Sequence, residues 1–452
     1  MLLVATNIPA TCRDIPTSCV PRPDETRDNP DITRDNPREK NRVLLELNKQ
    51  IKALIFAPET SMLAEKDLIS YTQSLEKLRL YIEHENFEGY DPYDTLNSPL
   101  KFKYLGKFVA VLALQFQKRN PINIRPLLGI KKEHNPKAIG LFLYGYCKLQ
   151  KLNPDKDYSG QIHFLFNHLK NNYSKGFSGY CWGYNFDWAS GNKYIKRDSP
   201  NVVVTAFVAK GIFEYYQLTK NAEALSILKS IGNFILKDLP RTETNEGIYF
   251  SYTTLGVDRC YNASLLAAKV LAQLFYLTKE EDYKDLATKA VDYVVSKQYP
   301  DGHWNYSIDE QGKERVQIDF HQGYVIDCIA DVMYYGNIQN EKYTSSITKG
   351  NDFYRKEQFF ENGQSKWRLP KEYPTEIHNQ SQGIITFSKT QGYTPFATGI
   401  ANWTIENMQD KNGFFYYRKG KSFTNKIPYM RWSQAWMFVA LIELIISLEQ
   451  KK

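Results

Sequence analysis

One short pattern returns along this chain at near-constant spacing, and it constrains the fold more than composition does. Gln298 is followed by Gly302, Trp304 and Tyr306, and Gln409 by Gly413, Phe415 and Tyr417. In both copies the glycine, the aromatic and the tyrosine stand four, six and eight residues after the glutamine. Looser copies occur at Gly179-Tyr180-Cys181-Trp182-Gly183-Tyr184, at Gly247 to Tyr252 and at Gly363 to Trp367. Each copy follows an amphipathic stretch such as Tyr283, Leu286, Ala287, Ala290, Val291 and Val294, whose spacing is helical. Each precedes a second stretch richer in small and apolar residues. The repeating unit is helix, Gly-aromatic turn, helix.

The second helices are expected to begin near Asn135, Pro200, Tyr261, Asp319, His378 and Arg431, at separations of 65, 61, 58, 59 and 53 residues. A hairpin of that size cannot bury both of its helices alone, whereas six can close on one another as an inner ring inside an outer one. The spacing predicts an all-α (α/α)6 toroid of six helical hairpins, with short strand-like Gly-aromatic turns. Inner helices should be apolar nearly all round, as Val202-Val203-Val204, Phe207, Val208 and Ile212 suggest. A ligand cavity is expected at the rim where they start.

Residues 1–40 read as a flexible leader, rich in Pro, Asp, Arg and Asn, with Thr26-Arg27-Asp28-Asn29-Pro30 nearly duplicated at Thr33-Arg34-Asp35-Asn36-Pro37. Leu44, Leu45, Leu47, Ile51, Leu54 and Ile55 resume helical spacing, so a single toroid domain is expected over 41–452. With 452 residues, 42% of them hydrophobic, the chain has ample material for one large core. Lys and Arg exceed Asp and Glu by 58 to 50, a mild bias rather than the clustered charge of a nucleic-acid binder. The 32 Tyr and 7 Trp supply flat faces with polar edges that stack on sugar rings, which points to a glycan or a sugar-containing small molecule as partner. No stretch reads as a membrane span, because the apolar run Ala435 to Leu448 contains Glu443. Met1 to Ala5 is too short and uncharged for a secretory signal, and the six cysteines form no C-x-x-C pair, so reduced thiols in the cytoplasm are expected.

The turns and the hairpin spacing resemble the six-hairpin glycosidase superfamily. That superfamily includes unsaturated-uronyl hydrolases and sugar epimerases, and it shares its toroid with polysaccharide lyases and uronyl epimerases. More narrowly, Gly179 to Trp188 together with Ile427-Pro428-Tyr429-Met430-Arg431-Trp432-Ser433-Gln434-Ala435-Trp436 resembles a bacterial family met beside surface-polysaccharide genes. The resemblance covers roughly residues 100–450. It implies action on a bacterial glycan or its precursor.

Residues just before and inside each inner-helix start are the candidate site. The catalytic candidates are Asp187, Asp319, His321, His378 and Glu376. The substrate-binding candidates are Trp182, Tyr184, Trp188, Arg259, Tyr261, Asn262, Tyr324, Gln382, Arg431 and Trp432. Asp319 reads equally as a helix N-cap, and the Trp and Tyr residues read as core or as sugar platforms. His321 and His378 fall at corresponding places on successive inner helices, without the spacing of a metal motif, so neither metal nor cofactor is expected. Arg at a rim suits a carboxylated sugar through bidentate hydrogen bonds.

Three readings remain open at this point. Glycoside hydrolysis needs two carboxyl groups within about 10 Å, drawn from Asp187, Asp319 and Glu376. Epimerisation or elimination at C5 of a uronate needs a base and a group that stabilises enolate-like charge, which His, Tyr and Arg supply. A non-catalytic glycan-binding or assembly subunit needs only the aromatic rings and arginines.

Overall fold

The computed structural model describes residues 66–450 apart from 101, 190–193, 258 and 310. The expected leader over 1–40 and the helical pattern over 44–55 lie outside the described residues. The described residues belong to one compact unit.

Thirteen α-helices occur among the described residues. They are α1 (66–84), α2 (Lys107–Arg119), α3 (Pro136–Leu152), α4 (Ser159–Asn171), α5 (Val202–Thr219), α6 (Ala222–Lys237), α7 (Tyr261–Thr278), α8 (Glu281–Ser296), α9 (His321–Gly336), α10 (Glu341–Gln358), α11 (Ile377–Lys389), α12 (Thr394–Met408) and α13 (Ala435–Glu449). From α3 onward each odd-numbered helix packs on the next odd-numbered one, and α13 packs back on α3, which closes an inner ring of six. The even-numbered helices from α4, with α1, form the outer ring. The expected (α/α)6 toroid is the observed fold.

The two rings differ as their sequences require. On α5 every residue from Val202 to Tyr215 is buried, because an inner helix meets neighbours on all sides. On α8 burial is confined mainly to a stripe through Tyr283, Ala287, Ala290, Val291 and Val294. Met430–Glu449 is long and apolar enough to cross a membrane, which departs from the sequence expectation. Its apolar surface is buried against the other inner helices, so burial in the ring accounts for its composition.

The Gly-aromatic turns hold the outer ring together. A Cβ on Gly302 would lie 2.3 Å from the carbonyl oxygen of Lys349 on α10, and one on Gly413 would lie 2.2 Å from that of Lys77 on α1. Each glycine thus lets its turn sit directly on the backbone of the next outer helix. The glutamines complete the joint. Gln298 Nε2 donates to the carbonyls of Gly302 and Ser346, both at 2.9 Å, and Gln409 Nε2 to those of Gly413 and Ser74, both at 3.0 Å. The contact of Gly413 with α1 links the last hairpin to the first.

The helix starts follow the expectation with local shifts. Asn135 caps α3, Tyr261 opens α7 and Ile377 opens α11. α5 starts at Val202 because Asn201 is its N-cap and accepts from the Val204 amide. Arg431 falls in a π turn, Met430–Gln434, that leads into α13.

Candidate active site

The inner helices carry a layered register. Thr205, Ser264, Gln322, Gln380 and Gln434 each accept a hydrogen bond from the backbone amide of the preceding Gly-aromatic turn, at Trp182, Phe250, Trp304, Ser365 and Phe415. Two residues after these locks stand Phe207, Leu266, Tyr324, Gln382 and Trp436, which together line a cavity of about 20 Å³ on the ring axis. Two residues before the locks stand Val203, Asn262, Phe320, His378 and Trp432, in the layer nearest the helix N-termini.

His321 is the reachable reactive group in this mouth, with its side chain 15% exposed. Its Nδ1 lies 2.5 Å from Asp319 Oδ1. In the neutral imidazole, donation from Nδ1–H leaves Nε2 as the lone-pair nitrogen, and Nε2 makes no hydrogen bond among the described residues. Asp319 is buried and also accepts from Gln317 Nε2 at 2.9 Å and Arg368 Nε at 3.3 Å. Burial pushes the Asp319 carboxyl up, but His321 and then Arg368 outweigh it and hold the group below the usual carboxylate range. Asp319 therefore stays ionised and orients the imidazole. The Tyr306 ring meets His321 edge-on at 4.8 Å, and the exposed Arg315 guanidinium lies 4.8 Å from the Tyr306 ring centre. Two arginines, Arg315 and Arg368, thus flank the dyad.

Behind this face lies a closed floor. His378 is fully buried, with its ring stacked on Phe320 at 4.1 Å and packed against Trp432 and Trp436 at 4.8 and 4.7 Å. The Phe320 ring also stacks on His321 at 4.2 Å, so both imidazoles share it. His378 Nε2 lies 2.6 Å from the Tyr324 hydroxyl, and its Nδ1 has no partner. Burial, then Lys137, His321 and Arg431, hold its pKa well below the ordinary value, so the ring is neutral. Arg431 makes a bidentate pair with Asp91, Nε to Oδ2 at 2.5 Å and Nη2 to Oδ1 at 2.8 Å, beneath Tyr184 and Trp432. Glu376 accepts from Arg418 Nε at 2.6 Å and from Trp432 Nε1 at 3.0 Å. Lys137 is buried with its ammonium 4.2 Å from the Phe207 ring and 5.1 Å from the Trp436 ring, and burial followed by Arg431 lowers its pKa well below the ordinary value.

The structure thus brings together Asp319, His321, His378, Glu376, Tyr184, Tyr324, Arg431 and Trp432. Other candidates lie elsewhere. Asp187 accepts from Tyr194 Oη at 2.6 Å and the Arg197 amide at 2.7 Å, within the ribbon that pairs Trp188–Ala189 with Tyr194–Ile195. Trp188 belongs to the same ribbon. Trp182 is core, its Nε1 donating to the Leu169 carbonyl of α4 at 3.2 Å, as Trp304 Nε1 donates to Val294 of α8. Arg259 Nε donates to the Tyr249 hydroxyl at 2.7 Å, and Tyr261 packs outward on Tyr293 of α8. Asn262 accepts from the Cys260 thiol at 3.0 Å. Gln382 lies one layer below the histidines and donates to Asp327 at 2.8 Å.

Sequence reasoning missed Arg315, Arg368, Lys137 and Asp91. Lys137 was legible in principle, since it is the second residue of α3 as His378 is of α11. Asp91 was not, because its partner lies 340 residues away. Among the described residues no three His, Cys, Asp or Glu side chains gather as a metal site.

Residues 257–332 match the family described as pectic acid lyase, a segment that includes Asp319, His321 and Tyr324. No curated protein matches the chain by sequence. Among solved structures, the chain is similar to a sugar epimerase from a ruminal bacterium, with 13% identity and a TM-score of 0.56, covering 70% of this chain and 90% of that one. It is similar to cellobiose 2-epimerase from Bacillus thermoamylovorans, with 15% identity and a TM-score of 0.54, covering 69% and 88%. It is also similar to a GH76 α-mannanase from Bacteroides thetaiotaomicron, with 19% identity and a TM-score of 0.53, covering 70% and 87%. These likenesses establish the six-hairpin toroid fold.

Proposed function

We propose that the protein is a carbohydrate-active enzyme that removes the C5 proton of a uronic-acid residue in a bacterial glycan or its precursor, with His321 as the base. The observation that carries this reading is the partly exposed imidazole held by a buried, ionised Asp319 and flanked by Arg315 and Arg368. The C5–H bond breaks, the proton goes to Nε2 of His321, and the electron pair moves into the substrate carboxylate, where arginine hydrogen bonds stabilise the enolate-like charge. Asp319 and His378 act as positioning residues. Asp319 fixes the imidazole tautomer, and His378 holds the Tyr324 hydroxyl and the shared Phe320 ring.

Hydrolysis is less well supported, because the carboxylates it would need are already engaged. Asp319 serves His321, Glu376 is paired with Arg418, and Asp187 ties its own ribbon. The pectic acid lyase match over 257–332 supports an acidic substrate, and the epimerase likenesses support proton transfer on a sugar. A role in surface-polysaccharide metabolism in the cytoplasm fits the buried free thiols of Cys147, Cys181 and Cys328.

Incubation with uronic-acid oligosaccharides in heavy water tests the reading. Loss of the C5 proton is expected, with deuterium at an inverted C5 centre if abstraction leads to epimerisation and an unsaturated ultraviolet-absorbing product with no hydrogen at C5 if it leads to elimination. New reducing ends with neither deuterium nor unsaturation would establish hydrolysis instead. Sugar binding without any turnover would make the protein a binding subunit.

A further inference from the structure

The stretch between α1 and α3 carries a feature that the chemistry above does not use. Leu100, Phe108, Leu112, Phe116, Ile122 and Leu127 are 58%, 75%, 52%, 64%, 68% and 86% exposed. Three of them, Phe108, Leu112 and Phe116, recur every fourth residue and so share the outer face of α2. The opposite face is anchored, with Ala110 and Leu114 packed on Leu96 and Ala189. A soluble surface rarely gathers so many large apolar side chains without a partner.

Charge decides what that partner is. From Thr95 to Lys132 the chain has no Asp or Glu and eight bases, Lys101, Lys103, Lys107, Lys118, Arg119, Arg125, Lys131 and Lys132. Arg125 is buried and paired with Asp94 at 2.7 Å, so its charge serves the fold. Lys107 and Arg119 are exposed at the two ends of α2 and Lys131 is exposed further along the chain, whereas Lys132 is ion-paired with Glu85. An apolar helical stripe bordered by Lys and Arg, with no carboxylates, matches an anionic lipid surface: the rings enter the acyl boundary while the bases reach the head groups. A protein partner with an apolar groove would not require the whole stretch to lack acids.

The face is also tied rigidly to the mouth. Arg125 Nη2 donates to the Asp91 carbonyl at 2.8 Å, Asp91 holds Arg431, and Asn425 Nδ2 donates to the Asn120 carbonyl at 3.2 Å just past α2. We infer that the α2 face is a docking surface for an anionic membrane, which would hold the active-site mouth beside glycans presented on lipid. This inference does not depend on the reaction at His321.

Sedimentation of the full chain with vesicles tests it directly. Vesicles of phosphatidylcholine with about one third phosphatidylglycerol should carry the protein down, and phosphatidylcholine alone should not. Combined Phe108→Ser, Leu112→Ser and Phe116→Ser should weaken partition by about tenfold or more, since each loses a buried apolar side chain at the interface. Combined Lys107→Gln, Arg119→Gln and Lys131→Gln should abolish the preference for anionic vesicles with the apolar face intact. Thermal unfolding near that of the parent would show that both variants are folded. Failure to sediment with either vesicle, or partition unchanged in both variants, would overturn the inference. A dimer seen by light scattering that the serine variant dissolves, with no vesicle binding, would assign the face to a second copy and overturn it as well.

Discussion

The two ends of the inner ring are built from the same register and do opposite things. At the mouth near the helix N-termini, the layer through Phe320, His378 and Trp432 is aromatic, and the imidazole beside it, His321, keeps one nitrogen unengaged and reachable. At the far end, the positions five and nine residues after the turn locks supply Lys210, Lys269, Asp327, Glu214, Asp331, Lys389 and Glu443, joined by Lys148 and Tyr144 of α3. There four lysines face four carboxylates, and partners answer one another across helices. Lys269 meets Asp331 at 2.5 Å, Lys148 meets Glu214 at 3.3 Å, and the Tyr144 hydroxyl donates to Glu443. The far-end cavity, lined by Tyr144, Lys148, Lys210, Glu214, Lys269, Asp331 and Lys389, is only about 40 Å³, room for a few waters. Opposite charges gathered against one another make a plug, and an imidazole left with one unengaged nitrogen makes a candidate site.

That contrast is sharpest in turnover. His321→Gln keeps a hydrogen-bonding side chain but removes proton transfer, so turnover on a uronate substrate should fall by about 10²-fold or more. Lys148→Gln at the far end should leave it within about threefold, because that lysine touches nothing at the mouth. A steady-state comparison of the two variants checks the assignment.

A smaller effect should appear in substrate binding. Arg368→Gln and Arg315→Gln should each raise KM for uronate oligosaccharides by about tenfold, the worth of a charge-assisted hydrogen bond, with little change towards neutral ones. Equal effects on both substrate classes would show that the arginines support the fold and not the carboxylate.

In stability the ends should exchange roles. Glu443→Gln removes a buried carboxylate whose pKa, raised by burial, is brought below the ordinary value by Lys389, Lys210 and Lys148, and it should cost about 3 kcal/mol in a denaturant melt. Turnover per folded molecule should be unchanged. His378→Gln at the mouth should cost about 1 to 2 kcal/mol by weakening the bond to Tyr324, with a smaller loss of turnover than His321→Gln.

The weakest effect is in pH dependence. Burial, followed by Lys389 and Lys269, lowers the Lys210 pKa to about 7. Between that value and the ordinary lysine value the unfolded chain binds a proton that the folded chain does not, so stability rises with pH across that window. Lys210→Met should flatten the rise in Tm above pH 7, and buried Lys137, shifted the same way, should account for part of what remains.

The ring was legible because it repeats. Six helix starts and a glycine that must meet a backbone carbonyl leave periodic traces in the sequence, and Gln298 and Gln409 carry the joint in their spacing. The candidate site was legible only where chemistry coincided with register, as at His321, His378 and Trp432. Trp182 misled because a turn aromatic before an inner helix is equally suited to face the mouth or the outer helix, and the carbonyl of Leu169 draws its indole N–H outward. Arg315 stands in a short strand and Arg368 in a turn, both outside the helical register, and Asp91 reaches its partner through the closed ring, so no local pattern announces them.

Proton transfer at His321 in the N-terminal mouth is tested most simply by the rate at which the C5 proton signal of one uronate oligosaccharide disappears in heavy water, by exchange or by elimination, for the parent, His321→Gln and Lys148→Gln at equal folded concentration. Loss of the signal is expected in the parent and in Lys148→Gln, and loss slowed by about 10²-fold or more in His321→Gln with the oligosaccharide still bound. Loss that survives His321→Gln, or that fails in Lys148→Gln instead, would place the base elsewhere.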